Sequence, residues 1–216
     1  MTYYPRAPRW SPYHEPWYRA HIANSSIGSE RAKANGDEWV DNDFHFSAPS
    51  KTPPPVPIDC DWINGHGAPE LFWLPIHERF EDYPAAKLLK IERPTKGHVF
   101  KLRTLAEALK DNAAAGRKTE IEVKDVHPYN TPAILNRMFA RAAVHAEAAY
   151  GADWKAHTVV KVLTDLRGGE AYALQVLAVA HAHGFQTMLL ARGRCRFKRY
   201  AGHTEITYVR GSAVIR

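Results

Sequence analysis

The order of hydrophobic patterns in the second half of the chain constrains its fold more than any other feature. Thr119–Val123 alternates as a strand does, and Thr131 with Pro132 opens a long Ala-rich helix that ends at Gly151. His157–Leu163 reads as the next strand, Gly169–His183 as a helix ended by Gly184, and Gln186–Ala191 as a further strand. A last extended piece covers Thr204–Val209. Strands that alternate with helices pair in parallel through helical crossovers, so this half predicts a parallel sheet with helices packed against it.

The first half adds strands more sparsely. Tyr18–Ile22 reads as a first strand, and Ser29–Asn35 as a short helix stopped by Gly36. Glu38–Phe46 (EWVDNDFHF) alternates as a strand, Lys51–Pro57 (KTPPPVP) is a stiff loop, and Ile58–Ile63 returns as another strand. Residues 64–100, with scattered aromatics and prolines, give no clear element. Thr104-Leu105-Ala106-Glu107 then forms a Thr-x-x-Glu capping box that opens a helix closed by Gly116. Five to seven strands in 216 residues lie near the lower limit for an eight-stranded barrel. The expectation is a compact α/β barrel, complete only if its connections are very short.

Residues 1–19 hold four Pro, four Tyr and two Trp, and read as an arm laid across a surface; residues 20–216 read as one α/β barrel-like domain. No apolar run is long enough for a membrane span, and Met1–Trp10 lacks the apolar stretch of a signal peptide. Cys60 and Cys195 belong to no Cys-x-x-Cys pair, which argues against a structural zinc site and for a reducing, cytoplasmic setting. The net charge of +6 favours phosphate-bearing partners. The basic run Arg192–Arg199 (RGRCRFKR) reads first as a solvated face, with contact to nucleic acid or a membrane surface as the other reading.

Alternate residues of a strand share a face. Asp41, Asp43 and His45 therefore project together, with Val40, Phe44 and Phe46 on the other side. In Thr119–Lys124 (TEIEVK), Glu120, Glu122 and Lys124 share a face opposite Ile121 and Val123. Two acids on one strand are common on a solvated face. A barrel would instead bring both sets together near the C-terminal ends of its strands, where barrel enzymes keep their sites. Asp41, Asp43 and Glu122 would then suit one hard cation, Mg²⁺ or Ca²⁺. Lys124 could hold a phosphate oxygen, and His21 could exchange protons near neutral pH.

The segments His21-Ile22-Ala23-Asn24, Ala34-Asn35-Gly36 and Asp41-Asn42-Asp43 resemble the opening of the glycerophosphodiester phosphodiesterase superfamily. The likeness extends to its sphingomyelinase D-like (phospholipase D toxin) branch, which reads His-x-x-Asn, a short helix, a Gly and then Glu-x-Asp. Leu102–Leu109 followed by Ile121-Glu122-Val123-Lys124 is similar to that family's Thr-Leu-x-Glu helix and Ile-Glu-Ile-Lys strand. The resemblance covers residues 18–125 by motif and 126–191 by pattern. It implies a barrel of the phosphodiesterase type, with a divalent metal on Asp41, Asp43 and Glu122. His21 would be an acid–base catalyst and Lys124 a phosphate contact. Asn24, Lys124 and Lys161 are the candidate substrate contacts. The family uses a second histidine, and none stands at the matching stretch Pro55-Val56-Pro57-Ile58-Asp59-Cys60; His45 and His66 are the substitutes.

The function expected on these grounds is hydrolysis of a small phosphodiester, such as a glycerophosphodiester or a lysophospholipid, by a monomer or a homodimer. Two alternatives stand beside it. One is a catalytically degenerate barrel that binds phosphorylated ligands or serves as a structural or interaction module. The other is a nucleic-acid-binding or nuclease-like protein, suggested by the positive charge and the aromatic arm.

Overall fold

Among the described residues, five strands run parallel in one sheet, and they stand side by side in chain order. The computed structural model describes residues 29–30, 33–34, 36–48, 56–59, 82–95, 98–123, 131–163, 169–192, 199–200, 203–209 and 212–213. Within them, β1 (Trp39–Phe46) pairs with β6 (Lys118–Val123), β6 with β7 (Thr158–Leu163), β7 with β8 (Gln186–Arg192), and β8 with β10 (His203–Val209). Beyond β1 the sheet continues through antiparallel β2 (Pro57–Asp59) and β5 (Arg103–Thr104). At the other edge β10 pairs with two short antiparallel strands, β9 (Arg199–Tyr200) and β11 (Ser212–Ala213). A separate hairpin joins β3 (Glu92–Thr95) and β4 (His98–Lys101).

This strand order has a direct consequence for the layers. Right-handed crossovers that always step to the next strand in one direction place every helix on the same face. Helices α1 (Leu105–Ala114), α2 (Pro132–Tyr150) and α3 (Gly169–Ala182) accordingly share one apolar core with the sheet. Phe44, Phe46, Ile121, Val123, Val160, Val162 and Leu189 supply the strand side of that core. Leu109, Leu135, Phe139 and Leu177 supply part of the helix side. Phe185 packs edge-on against both Phe139 and Trp154, with ring centroids 5.8 and 5.0 Å away. Among the described residues the sheet does not close on itself.

Local sequence explains where the elements begin and end. The Thr104 hydroxyl accepts from the Glu107 N–H while the Glu107 carboxylate accepts from the Thr104 N–H, which is the expected capping box. Thr131 caps α2, with Pro132 at its first helical position. Gly116 and Gly184 end α1 and α3 at positive φ (69° and 90°), a backbone that side-chain-bearing residues rarely adopt. The strands expected at Glu38–Phe46, Thr119–Val123, His157–Leu163 and Gln186–Ala191 appear within a residue or so of those bounds. His157 closes a short helical turn, Trp154–His157, and β7 starts one residue later.

The β3–β4 hairpin lies in a stretch whose sequence gave no clear element. Pro94 sits inside β3, and a proline inside a strand hides it from pattern reading. The N-terminal arm, the expected strand Tyr18–Ile22, and His21, Asn24, His66 and Lys124 lie outside the described residues. No helix among the described residues is long and apolar enough to cross a membrane.

Candidate metal centre

The face of the sheet turned away from the helices carries charge. Parallel pairing sets Asp41 opposite Glu120, Asp43 opposite Glu122, and Glu122 opposite Lys161. Because the side-chain period of a strand is two, these five residues of β1, β6 and β7 emerge on one face, while Asn42, Ile121 and Val160 turn toward the helices. The expected gathering of Asp41, Asp43 and Glu122 is present: each offers a carboxylate oxygen, and these oxygens lie within 4.8 Å of one another. The reading of Asp41 and Asp43 as part of a solvated face does not hold. Asp43 and Glu122 are buried, and the Asp41 side chain is only 6% exposed.

Lys161 stands in the middle of these acids. Its Nζ donates to Asp41 Oδ1 at 2.7 Å and to Glu120 Oε2 at 3.3 Å, and lies 2.7 Å from Glu122 Oε2. Burial alone would depress the pKa of so enclosed an amine. The negative charges of Asp41, Glu122, Glu120 and Asp43 outweigh that effect and hold it well above its ordinary value, so Lys161 stays an ammonium. Glu120 behaves oppositely. Burial pushes its carboxyl up to about 7, helped by the charges of Asp41 and Glu122 and opposed by Lys161.

These shifts carry a pH signature. The folded protein holds a proton on Glu120 up to about pH 7, and the unfolded chain only up to its ordinary 4.5. Between those values the native state binds more protons, so this contribution to stability falls as pH rises. Glu120→Gln, which need not ionise, is expected to gain stability relative to wild type by about 1–3 kcal/mol between about pH 5 and about pH 8. Urea denaturation in EDTA at a series of pH values reads this difference directly. A difference that stays flat with pH would show that Glu120 does not titrate in that window.

A buried polar network fixes the strand that presents the two aspartates. Between them, Asn42 points into the helix layer, where its Oδ1 accepts from Asn112 Nδ2 of α1 at 2.8 Å. The same Nδ2 donates to Thr119 Oγ1 of β6 at 2.9 Å, and the Ser29 hydroxyl donates to Asn112 Oδ1 at 2.5 Å. Thr119 Oγ1 lies 2.7 Å from the Tyr150 hydroxyl, which donates to the Arg117 carbonyl at 2.8 Å. Buried polar groups satisfied in this manner hold their elements in one arrangement.

The donor set suits a hard cation. Three buried carboxylates, joined by Glu120 once it ionises, face a single ammonium, and an excess of buried negative charge is costly unless it is neutralised. All the acids offer oxygen, as Mg²⁺ and Ca²⁺ prefer. Calcium–oxygen bonds of about 2.3–2.6 Å allow ligand oxygens up to roughly 5 Å apart, whereas Mg²⁺ requires the cluster to tighten toward roughly 4 Å.

Of the other expected site residues, His45 is buried near the end of β1, two positions past Asp43 on the same side of the strand. His21, Asn24 and Lys124 lie outside the described residues. Glu120 is the member of the cluster that sequence reasoning left out of the site. Its signal was present in TEIEVK, where it shares a face with Glu122, and a lysine on the neighbouring strand could have pointed to both.

No protein-family model and no curated protein matches the sequence. Among solved structures the chain is similar to a protein from Silicibacter pomeroyi DSS-3 assigned as a glycerophosphoryl diester phosphodiesterase. The TM-score is 0.54 at 13% identity, over 78% of this chain and 60% of that one. A second such protein, from Agrobacterium tumefaciens str. C58, gives a TM-score of 0.41 at 14% identity, over 77% of this chain and 68% of that one. What the chain shares with the first of these is its fold, an α/β barrel of the phosphodiesterase type, left open here among the described residues.

Proposed function

We propose that the protein is a divalent-metal-dependent phosphodiester hydrolase acting on a small glycerophosphodiester, a lysophospholipid or a related phosphodiester. One observation carries this reading: Asp41, Asp43 and Glu122 converge from two adjacent parallel strands of a phosphodiesterase-type fold. Asp41, Asp43 and Glu122 would hold one Mg²⁺ or Ca²⁺. Such an ion, when bound, supplies positive charge against the phosphoryl oxygens of the substrate.

The chain's own residues take the remaining parts. Lys124, two positions past Glu122, would hold a phosphate oxygen through its ammonium, and Asn24 would orient the substrate. His21 would exchange a proton with the nucleophile or the leaving oxygen, a role suited to an imidazole that titrates near neutral pH. His45 is the described histidine nearest in sequence to the aspartates and is the proposed second member of the pair. The order His21-x-x-Asn24 then Asp41-x-Asp43 supports a place beside the sphingomyelinase D-like branch. The enzyme in this reading works in the cytoplasm, as a monomer or homodimer.

Hydrolysis of bis(p-nitrophenyl) phosphate and of glycerophosphocholine, with Mg²⁺, Ca²⁺ or Mn²⁺ and with EDTA, tests the proposal. Metal-dependent release of product is expected from wild type. Asp41→Asn and Glu122→Gln should fall to the level of the EDTA-treated enzyme. Turnover that is indifferent to EDTA and to both substitutions would remove the metal centre from the reaction.

A further inference from the structure

Lys161 shares its carboxylates with the proposed ion. Two of the three acids that would ligate a divalent cation, Asp41 and Glu122, are the two that its ammonium approaches at 2.7 Å. The third acid on Lys161 is Glu120, which lies outside the ligand set. An ammonium has three N–H donors, and here three carboxylates face them. The side chain is 1% exposed and springs from the middle of β7, so its reach is set by the sheet. A doubly charged ion on Asp41, Asp43 and Glu122 would lie within a few ångströms of this ammonium, where like charges repel strongly in a water-poor interior.

We propose that Lys161 is a tethered cation that competes with the divalent ion for Asp41 and Glu122, so that loading the centre displaces its ammonium from those two acids. The inference rests on the metal reading above. In the absence of divalent ion Lys161 keeps the four acids gathered, and only an ion of higher charge can take its place. Lys161 is thus a positioning residue that tunes metal affinity. It keeps the centre from loading at low metal concentration.

The test uses the metal ions alone, with calorimetric titration of Ca²⁺, Mg²⁺ and Mn²⁺ and with thermal melts, and involves no substrate. Lys161→Met is expected to bind divalent ion at least about tenfold more tightly than wild type, the scale of effects for groups adjoining metal ligands. At about pH 8.5, where Glu120 of the wild type is ionised, the double variant Lys161→Gln with Glu120→Gln loses one positive and one negative charge and so keeps the formal charge of the cluster. It too should bind more tightly, and it decides the matter if Lys161→Met does not fold. Tighter binding by Lys161→Met alone would mean that only the overall charge had changed, and would overturn competition. Affinities equal to or weaker than wild type in both variants would overturn it while leaving the metal-dependent reading in place. Binding by both variants but not by wild type would support competition and set aside metal dependence of the natural protein. Absence of binding in all three proteins would dispose of both ideas.

Discussion

Turnover of a phosphodiester is expected to fall at least about a hundredfold in His21→Ala, about 2.7 kcal/mol of added barrier. A phosphodiester must lose an alkoxide, which is a poor leaving group without a proton, and its nucleophile is weak until one is removed. A positioned imidazole does either task at neutral pH, and general acid–base catalysis of this kind contributes about 10²–10⁴-fold. Metal affinity should change little, because His21 is not among the three acids that would hold the ion. His45→Ala and His66→Ala, measured in parallel, identify the second histidine by a comparable loss. A His21→Ala protein that melts earlier yet turns over normally per folded molecule would show a structural histidine and withdraw the main catalytic assignment.

The second large effect concerns stability. Asp41, Asp43, Glu120 and Glu122 are buried around one ammonium, and their mutual repulsion opposes folding. An ion that binds only the folded state adds stability by mass action, about 2.7 kcal/mol at a concentration one hundred times its dissociation constant. For a chain of this size that corresponds to a rise in Tm on the order of 5–10 °C. Asp43→Asn should abolish the rise. Melting curves that coincide in EDTA, Mg²⁺, Ca²⁺ and Mn²⁺ would mean that no divalent ion binds this centre.

Much of this arrangement was legible in the chain. The alternation Asp41-Asn42-Asp43-Phe44 and Glu120-Ile121-Glu122-Val123 fixes which side chains share a face, whatever the tertiary fold. What sequence alone left open was register, meaning which residue of β6 stands opposite which residue of β1. Register depends on distant contacts such as Asn112 with Asn42 and Thr119. For the same reason Glu120 was not placed in the site: its membership depends on Lys161, a residue of another strand. β5 and the β3–β4 hairpin were hidden by brevity and by proline, whereas β2 falls at the start of the strand read over Ile58–Ile63. Gly116 and Gly184 were readable because each does a job that no other residue does cheaply.

The pairings in the sheet differ greatly in the length of chain that each one closes. β6 joins β7 through α2, and β7 joins β8 through α3, so each of these pairs forms across one short crossover. Trp39, by contrast, meets Lys118 across a loop of about 80 residues, and closing such a loop must precede any reward from its contacts. The charged residues of the centre divide along this same seam, with Asp41 and Asp43 on one side and Glu120, Glu122 and Lys161 on the other. The β6–β8 half can therefore assemble early around α2 and α3, whereas the acidic centre comes into being only when the long-range pairing of β1 is made. Loss of the β1–β6 pairing would scatter these acids, so their gathering hangs on the contact that spans the most chain among the described strand pairs.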